Sequence, residues 1–218
     1  EAAQKFLRQE LDGYLRGRGR ERKKEVPFLY VENQPYIHYQ KGALVYYALR
    51  DYLGEETFHR AVRSYVEKWA FKGPPYATSR DLLAEIRAVT PDSLQPVLTD
   101  LFETITLFEH KAEAARAVKR PDGRWDVTLE VKARKLRADS LGVETEIAEA
   151  DYVDVGVFGE RVPGTKLGKP LLVRKLKVTG DTTLVLTVDA EPRKAGIDPY
   201  NKLIDRTPED NVTDVGVR

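Results

Sequence analysis

Residues 125–132 have the sequence Trp-Asp-Val-Thr-Leu-Glu-Val-Lys, in which apolar and polar side chains alternate. Successive side chains of a β-strand point to opposite faces, so this period of two predicts a strand with one buried face. The turn sequence Pro121-Asp122-Gly123 stands just before it, so residues 112–119 are predicted to pair with it as a hairpin. Further short strands are predicted over residues 142–148, 152–158, 170–178 and 182–188.

Upstream of residue 110 the apolar residues recur at three- and four-residue spacing, as on one face of a helix. The first helix is predicted to stop at the two glycines of the segment 16–20. The proline-containing residues 25–39 are predicted to be extended or looped, and a second helix to begin near Tyr39 and end at Gly54. More helices are predicted after Gly54, from Thr78 and near Pro91.

The change of period divides the chain and predicts an α+β protein of more than one domain. Residues 1–110 are expected to form an antiparallel helical bundle with short connections. Residues 111–200 are expected to form an immunoglobulin-like β-sandwich, because several short strands follow one another at close spacing. Residues 201–218, rich in Asp, Asn and Pro, are expected to be an irregular tail.

The composition of the 218 residues excludes several protein classes. With 41% hydrophobic and 33% charged residues, the chain is too apolar to be disordered and too polar for a membrane bundle. The net charge of +1 gives no reason to expect a nucleic-acid partner. The absence of cysteine excludes disulfides, thiolate zinc sites and a cysteine nucleophile. The absence of methionine predicts that the chain is a processed or excised piece.

A complete metal site is not expected within the chain. The three histidines, His38, His59 and His110, lack the H-E-x-x-H pattern and are expected at the surface or partly buried. Some carboxylates and amides near the end of the chain could bind a cation, but their spacing is not that of an EF-hand. Asx-turns are the favoured interpretation of that group, which comprises Asp198, Asn201, Asp205, Asp210 and Asn211.

A basic run covers residues 16–24 and holds six basic residues and one acid. It could contact phosphates or a negatively charged lipid surface. No aromatic residue interrupts the run, so stacking on nucleic-acid bases is not supported. A solvated loop between helices is the favoured interpretation.

The segment Tyr36-Ile37-His38-Tyr39-Gln40-Lys41-Gly42 places aromatic side chains at the entrance to the second helix. Such residues commonly cover a core. A tyrosine at this position can also point its hydroxyl into a cleft and stabilise an oxyanion. Composition and spacing do not choose between the two interpretations.

An ordered series of residues resembles a known family. The series Tyr39-x-Lys41-Gly42-Ala43-x-Val45, then Leu49, Leu53-Gly54, Phe58 and Tyr65, is similar to the segment after the zinc site in gluzincin aminopeptidases. These form the aminopeptidase N and leukotriene hydrolase group. The resemblance continues through Phe71-Lys72 and residues 77–82 and covers roughly residues 36–88. The run 31–39 looks most like a bacterial, membrane-tethered branch, in which the peptidase-like region follows an ABC-transporter-permease-like membrane part.

The resemblance implies a role for one residue, Tyr39, whose hydroxyl would donate a hydrogen bond to the tetrahedral intermediate beside a zinc ion. It also implies a helical catalytic lobe followed by a β-sandwich. The zinc histidines, the general-base glutamate and the third zinc ligand of the family, which precede the tyrosine segment, are missing here.

The chain is therefore expected to be the C-terminal part of a zinc aminopeptidase-like protein. It would hold no cofactor itself, zinc belonging to the parent protein, and would be inactive alone. The expected partners are the missing catalytic lobe of its own polypeptide and a peptide substrate of the parent. A membrane part of the parent is a further candidate partner. We expect a soluble domain, and the side of the membrane it faces is left open.

A second interpretation stays open beside the first. The chain could be a non-enzymatic structural or interaction domain of a membrane-transporter-associated protein. Sandwich domains support many functions, so the expected fold does not separate the two.

Overall fold

The structure is a computed structural model that describes residues 2–217. These residues form two compact units. A helical unit comprises residues 7–106 and 138–144, and a sheet unit comprises residues 2–6, 107–137 and 145–217.

The helices lie in the first half of the chain, before the first strand begins at Ile105. The α-helices are α1 (Ala2–Arg20), α2 (Gly42–Leu53), α3 (Glu55–Trp69), α4 (Ser79–Val89) and α5 (Gln95–Leu98). Short 3-10 turns lie at Phe28–Tyr30 and Asp92–Leu94, and π-helical turns at Tyr36–Lys41 and Thr99–Glu103. Every helix of the described residues is too short or too polar to cross a lipid bilayer.

The start of α4 confirms a prediction made from local sequence. The Thr78 backbone N–H donates to the Asp81 carboxylate over 2.8 Å, and the Thr78 side chain caps the first turn. This capping box satisfies two N–H groups that would otherwise lack a partner. The helix therefore begins at the predicted residue.

Two predictions for the helical half are wrong. The two glycines of the segment 16–20 do not stop α1, which passes through both and ends at Arg20, the last residue of that segment, because glycine lowers helix stability without forbidding the helix. Residues 25–39 are not extended throughout, since the chain is already helical from Tyr36. In both cases packing outweighs the local preference.

The core of the helical unit is aliphatic and aromatic. The Phe28 ring contacts the rings of Tyr46 and Phe102, with centroids 5.8 and 5.4 Å apart. On helix α3 the buried residue is the small Ala61. Fully buried side chains of the unit include Leu11, Tyr14, Ile37, Leu44, Leu49, Ile86, Leu98 and Phe102.

The second half of the chain forms strands. They are β1 (Ile105–Lys119), β2 (Trp125–Ala138), β3 (Glu144–Ile147), β4 (Asp151–Phe158), β5 (Pro170–Val178), β6 (Thr182–Val188), β7 (Lys194–Ile197) and β8 (Val212–Val217). The hydrogen-bonded order is β3-β2-β1-β8-β7-β4-β5, and β6 pairs with β2. Strands β1 and β8 run parallel, so the sheet is mixed. The predicted hairpin of β1 and β2 is confirmed, and the immunoglobulin-like sandwich stays a prediction.

The predicted irregular tail contains a strand. Residues 212–217 form β8, which lies between β1 and β7 in the sheet. Its sequence, Val-Thr-Asp-Val-Gly-Val, alternates poorly, so hydrogen bonds from two neighbouring strands supply what local pattern does not. The apolar core of this unit includes Val127, Leu129, Val153, Val155, Val157, Leu186, Ala195 and Ile197.

Candidate functional site around Tyr39

Tyr39 and Lys41, which begin the series that carries the family resemblance, lie on a π-helical turn. Tyr36–Lys41 form this turn, which passes without interruption into α2. The backbone N–H of Gly42 donates to the carbonyl of Ile37, five residues earlier. Single π-turns of this kind are frequent at functional sites, because the extra residue changes which side chains share a face.

Tyr39 projects from this turn with 67% of its surface exposed. Its ring meets the ring of the neighbouring His38 edge-on, with centroids 4.4 Å apart. Tyr36, three residues earlier, is buried. The aromatics of the motif thus have different places, Tyr36 in the core and Tyr39 at the surface, where its hydroxyl can reach a ligand.

Helix α1 holds the buried side of the turn at close range. The ring of Tyr36 stacks on that of Tyr14, with centroids 5.9 Å apart and planes inclined by 21°. A Cβ atom at Gly17 would lie 2.3 Å from the Cβ of Tyr36, and one at Gly13 would lie 2.8 Å from Cγ of Gln40. Two glycines one helical turn apart therefore allow α1 to approach the segment that carries Tyr39.

Lys41 is fully buried within two residues of Tyr39. Its Nζ lies 5.4 Å from the centre of the Tyr14 ring and has no hydrogen-bond partner among residues 2–217. Burial lowers the pKa of Lys41 to about 8, and the charge of Glu25 opposes that shift. The site therefore contains an ammonium group that titrates near neutral pH.

Glu25 connects the groups that surround Lys41. Its carboxylate accepts a hydrogen bond from the Tyr14 hydroxyl over 2.5 Å and one from Nε of Arg18 over 2.7 Å. Arg18 also donates to Glu144 over 3.0 Å. Burial, followed by the charge of Glu25, raises the pKa of Tyr14 well above its usual value, so Tyr14 remains a donor. This network orients the ring on which both Tyr36 and Lys41 rest.

The structure thus gives a physical reason for the residue type at each named position of the Tyr39-x-Lys41-Gly42 motif. Tyr39 is exposed, Lys41 is buried against an aromatic ring, and a Cβ at Gly42 would lie 3.2 Å from the Phe28 ring. Sequence reasoning singled out Tyr39 and missed its supports. The available signal was the position of Lys41 four residues from each of the apolar residues Ile37 and Val45. This spacing places Lys41 on the buried face of the helix.

The three histidines do not come together. His38 is half-buried beside Tyr39, His59 is exposed on α3, and His110 is 1% exposed. The expectation that all three lie at the surface or are partly buried is wrong for His110. Among residues 2–217, no group of three or more histidine, aspartate or glutamate side chains is arranged to hold a metal ion.

His110 belongs to a buried polar cluster of the sheet unit. Its Nε2 lies 2.7 Å from the Glu149 carboxylate. Burial lowers the pKa of His110, but the hydrogen bond and charge of Glu149 outweigh it, so the pKa is raised. Asp205 accepts the backbone N–H groups of His110 and Thr207, and the latter bond confirms the Asx-turn interpretation for this residue.

Asp198 is a third buried carboxylate of that cluster, beside Glu149 and Asp205. It accepts the backbone N–H groups of Lys202 and Leu203. Burial nevertheless raises its pKa to about 7. Asp198 and Asp205 thus satisfy the backbone of an irregular segment, and their hydrogen bonds suit a structural role.

Comparison with known proteins gives one partial similarity. The chain is 36% identical over 63 residues to aminopeptidase M1-C of Oryza sativa subsp. japonica. The matched stretch is 29% of this chain and 7% of that protein. No protein-family model matches the chain. The comparison therefore provides a weak, partial similarity to an aminopeptidase.

Proposed function

We propose that this chain is the C-terminal part of a zinc aminopeptidase-like protein and supplies it with an oxyanion-stabilising tyrosine, Tyr39. The observation that carries the proposal is the combination of an exposed phenol with a firmly packed backbone. Tyr39 is 67% exposed, while Tyr36 and Lys41 on the same turn are buried. The partial similarity to an aminopeptidase supports the same function.

The proposed reaction requires only that the Tyr39 hydroxyl be held in the right position. When water attacks a peptide carbonyl, negative charge develops on the carbonyl oxygen, and a donor already in place stabilises it. The Tyr39 hydroxyl would donate that hydrogen bond without losing its proton. One such donor is worth a factor of about 100 to 1,000 in rate. The backbone of Tyr39 must therefore stay fixed. In the proposal, Tyr14 and the residues around it hold that backbone in place.

In the proposal, zinc belongs to the parent protein, and among residues 2–217 no group of three or more histidine, aspartate or glutamate side chains is arranged to hold a metal ion. No step of the mechanism is therefore assigned to a metal held by this chain. In the proposal, the zinc ligands and most of the peptide-binding surface belong to another part of the polypeptide.

The first experiment replaces Tyr39 with Phe in the intact protein and measures hydrolysis of aminoacyl p-nitroanilides. We expect kcat to fall by a factor of about 100 to 1,000 with KM nearly unchanged, because the hydroxyl acts in the transition state. Tyr76→Phe, at another exposed tyrosine (74%), is the matched control and should retain full activity. An unchanged kcat in Tyr39→Phe would overturn the assigned role.

The second experiment tests the chain alone. The purified 218-residue chain, with and without added zinc, should not hydrolyse the same substrates. Turnover that a chelator abolishes would contradict the proposal, because it would require a metal site within this chain.

The alternative is a non-enzymatic domain of a membrane-transporter-associated protein. It is favoured if the intact protein lacks peptidase activity and also lacks an H-E-x-x-H sequence upstream of Tyr39. In that case the packing around Tyr14 would serve only to hold the helical unit together.

A further inference from the structure

Five of the six cations in the basic run 16–24 are exposed. They are Arg16, Arg20, Arg22, Lys23 and Lys24. The sixth, Arg18, is engaged with Glu25 and Glu144. The one acid of the run, Glu21, uses its carboxylate to accept the backbone N–H groups of Arg22 and Lys23. The run therefore presents a concentrated positive charge on a chain whose net charge is only +1.

A short turn with exposed aliphatic side chains lies beside this run. Leu141 and Val143 are 72% and 63% exposed. The Asp139 carboxylate accepts the backbone N–H groups of both residues, at 2.8 and 2.9 Å, which holds the turn in one shape. We call residues 139–143 the aliphatic turn.

Two contacts within the helical unit join the basic run to the aliphatic turn. The backbone N–H of Glu25, the residue after Lys24, donates to the carbonyl of Ser140 over 2.9 Å. Arg18, within the run, forms an ion pair of 3.0 Å with Glu144, the residue after the turn. Exposed cations and exposed aliphatic side chains are thus neighbours on one surface.

We propose that the basic run and the aliphatic turn together bind the surface of an anionic lipid bilayer. Basic side chains are attracted to acidic headgroups, and aliphatic side chains gain free energy by entering the region between the headgroups and the acyl chains. Duplex nucleic acid would use the cations but not Leu141 or Val143. The pairing of both features therefore favours a lipid surface over a nucleic acid.

The test is co-sedimentation of the 218-residue chain with vesicles at about 0.1 M salt, where exposed charges are only partly screened. The vesicles contain phosphatidylcholine alone or with about 30 mol% phosphatidylserine, which supplies a negative surface potential. We expect binding to the anionic vesicles only, and its loss at about 1 M salt, where the screening length falls to about 3 Å.

Charge variants identify the surface that binds. The triple variant Arg22→Gln, Lys23→Gln, Lys24→Gln should bind about 100-fold more weakly, at about fivefold for each basic residue removed. The matched control, Arg60→Gln, Arg63→Gln, Lys72→Gln, removes the same charge from exposed positions elsewhere in the helical unit and should bind as the wild type does. Equal weakening by both variants would overturn the proposal, because binding would then follow net charge alone.

The aliphatic turn separates a lipid surface from other polyanions. The double variant Leu141→Ser, Val143→Ser should bind anionic vesicles about tenfold more weakly, because less apolar surface enters the bilayer. Its binding to duplex DNA and to heparin should match that of the wild type. Failure to bind anionic vesicles, or vesicle binding that does not change in this variant, would contradict the proposal. Both residues are exposed, so the thermal unfolding of this variant should match that of the wild type. The same measurement checks that the variant folds.

Discussion

The side-chain nitrogen of Lys41 lies 5.4 Å from the centre of the Tyr14 ring, fully buried and without a hydrogen-bond partner in the part of the chain that the structure describes. An aromatic face attracts a cation, but by less than removal of an ammonium group from water costs. The pKa of Lys41 therefore falls to about 8. Lys41 destabilises the fold in its charged form, which sets it apart from the apolar residues beside it.

The first prediction concerns pH. The folded-state pKa of about 8 lies below the usual 10.5, so the unfolded chain binds more protons between these values. The contribution of Lys41 to the free energy of unfolding should therefore rise with pH, by about 1.5 kcal/mol from pH 8 to 9.5. Urea unfolding at several pH values, compared with Lys41→Met, isolates this contribution. Parallel pH profiles for the two proteins would contradict it.

The second prediction concerns the same substitution at neutral pH. Replacing Lys41 with Met keeps the length of the side chain and removes a buried charge that makes no hydrogen bond to any of the described residues. We expect the free energy of unfolding at pH 7 to increase by about 1–3 kcal/mol. Equilibrium unfolding in urea measures it. A loss of stability in Lys41→Met would mean that the ammonium group has a stabilising partner.

The third prediction concerns the hydrogen bond between Tyr14 and Glu25. The substitution Tyr14→Phe removes a buried donor to a carboxylate, at an original distance of 2.5 Å. Hydrogen bonds to charged groups contribute about 1.5–3 kcal/mol, and we expect that loss in the free energy of unfolding. Tyr76→Phe, at an exposed position, should change stability little. Equal effects in the two variants would show that the network does not hold α1 to the π-turn.

The fourth prediction uses two glycines of α1. A methyl group at Gly17 would lie 2.3 Å from the Cβ of Tyr36, whereas one at Gly19 would have no described neighbour within 4 Å outside the adjacent backbone of its own helix. Gly19→Ala should stabilise by about 0.5–1 kcal/mol through helix propensity, and Gly17→Ala should destabilise although its propensity gain is the same. Thermal unfolding of both variants measures the difference. Stabilisation by Gly17→Ala would contradict the close packing of α1 on the π-turn.

The fifth prediction concerns Asp198 in the sheet unit. Its folded-state pKa of about 7 lies above the usual 3.8, so the folded chain binds more protons in that window. Its contribution to stability is present below pH 3.8 and is lost as the pH rises through 7, by as much as about 4 kcal/mol. The raised pKa of Asp205 acts in the same direction.

The variant Asp198→Asn checks that prediction. Asparagine suits the positive φ of 38° at this position, so the backbone should be retained. The free energy of unfolding of this variant should fall less between pH 4 and 7 than that of the wild type. Asp189→Asn, at an exposed aspartate, is the control and should follow the wild type. Identical slopes for Asp198→Asn and the wild type would show that Asp198 is ionised throughout.

Local sequence determined those parts of the fold whose cause is local. Strand β2 follows from the alternation of Trp125 to Lys132, and its hairpin with β1 follows from Pro121-Asp122-Gly123. Helix α4 begins where Thr78 and Asp81 form a capping box. Each of these signals acts between residues a few positions apart, so it can be read without knowledge of the rest of the chain.

The tertiary structure decided three other features. They are the position of β8 between two strands, the continuation of α1 through Gly17 and the opposite environments of Tyr39 and Lys41. The resemblance indicated Tyr39, but nothing in its local sequence distinguishes an exposed tyrosine from the buried Tyr36 three residues earlier. That difference depends on the π-turn and on the close approach of α1, which brings Tyr14 against one side of the segment. Contacts between residues far apart in the chain set which side chains are covered, because burial depends on what packs against an element and not on the element alone.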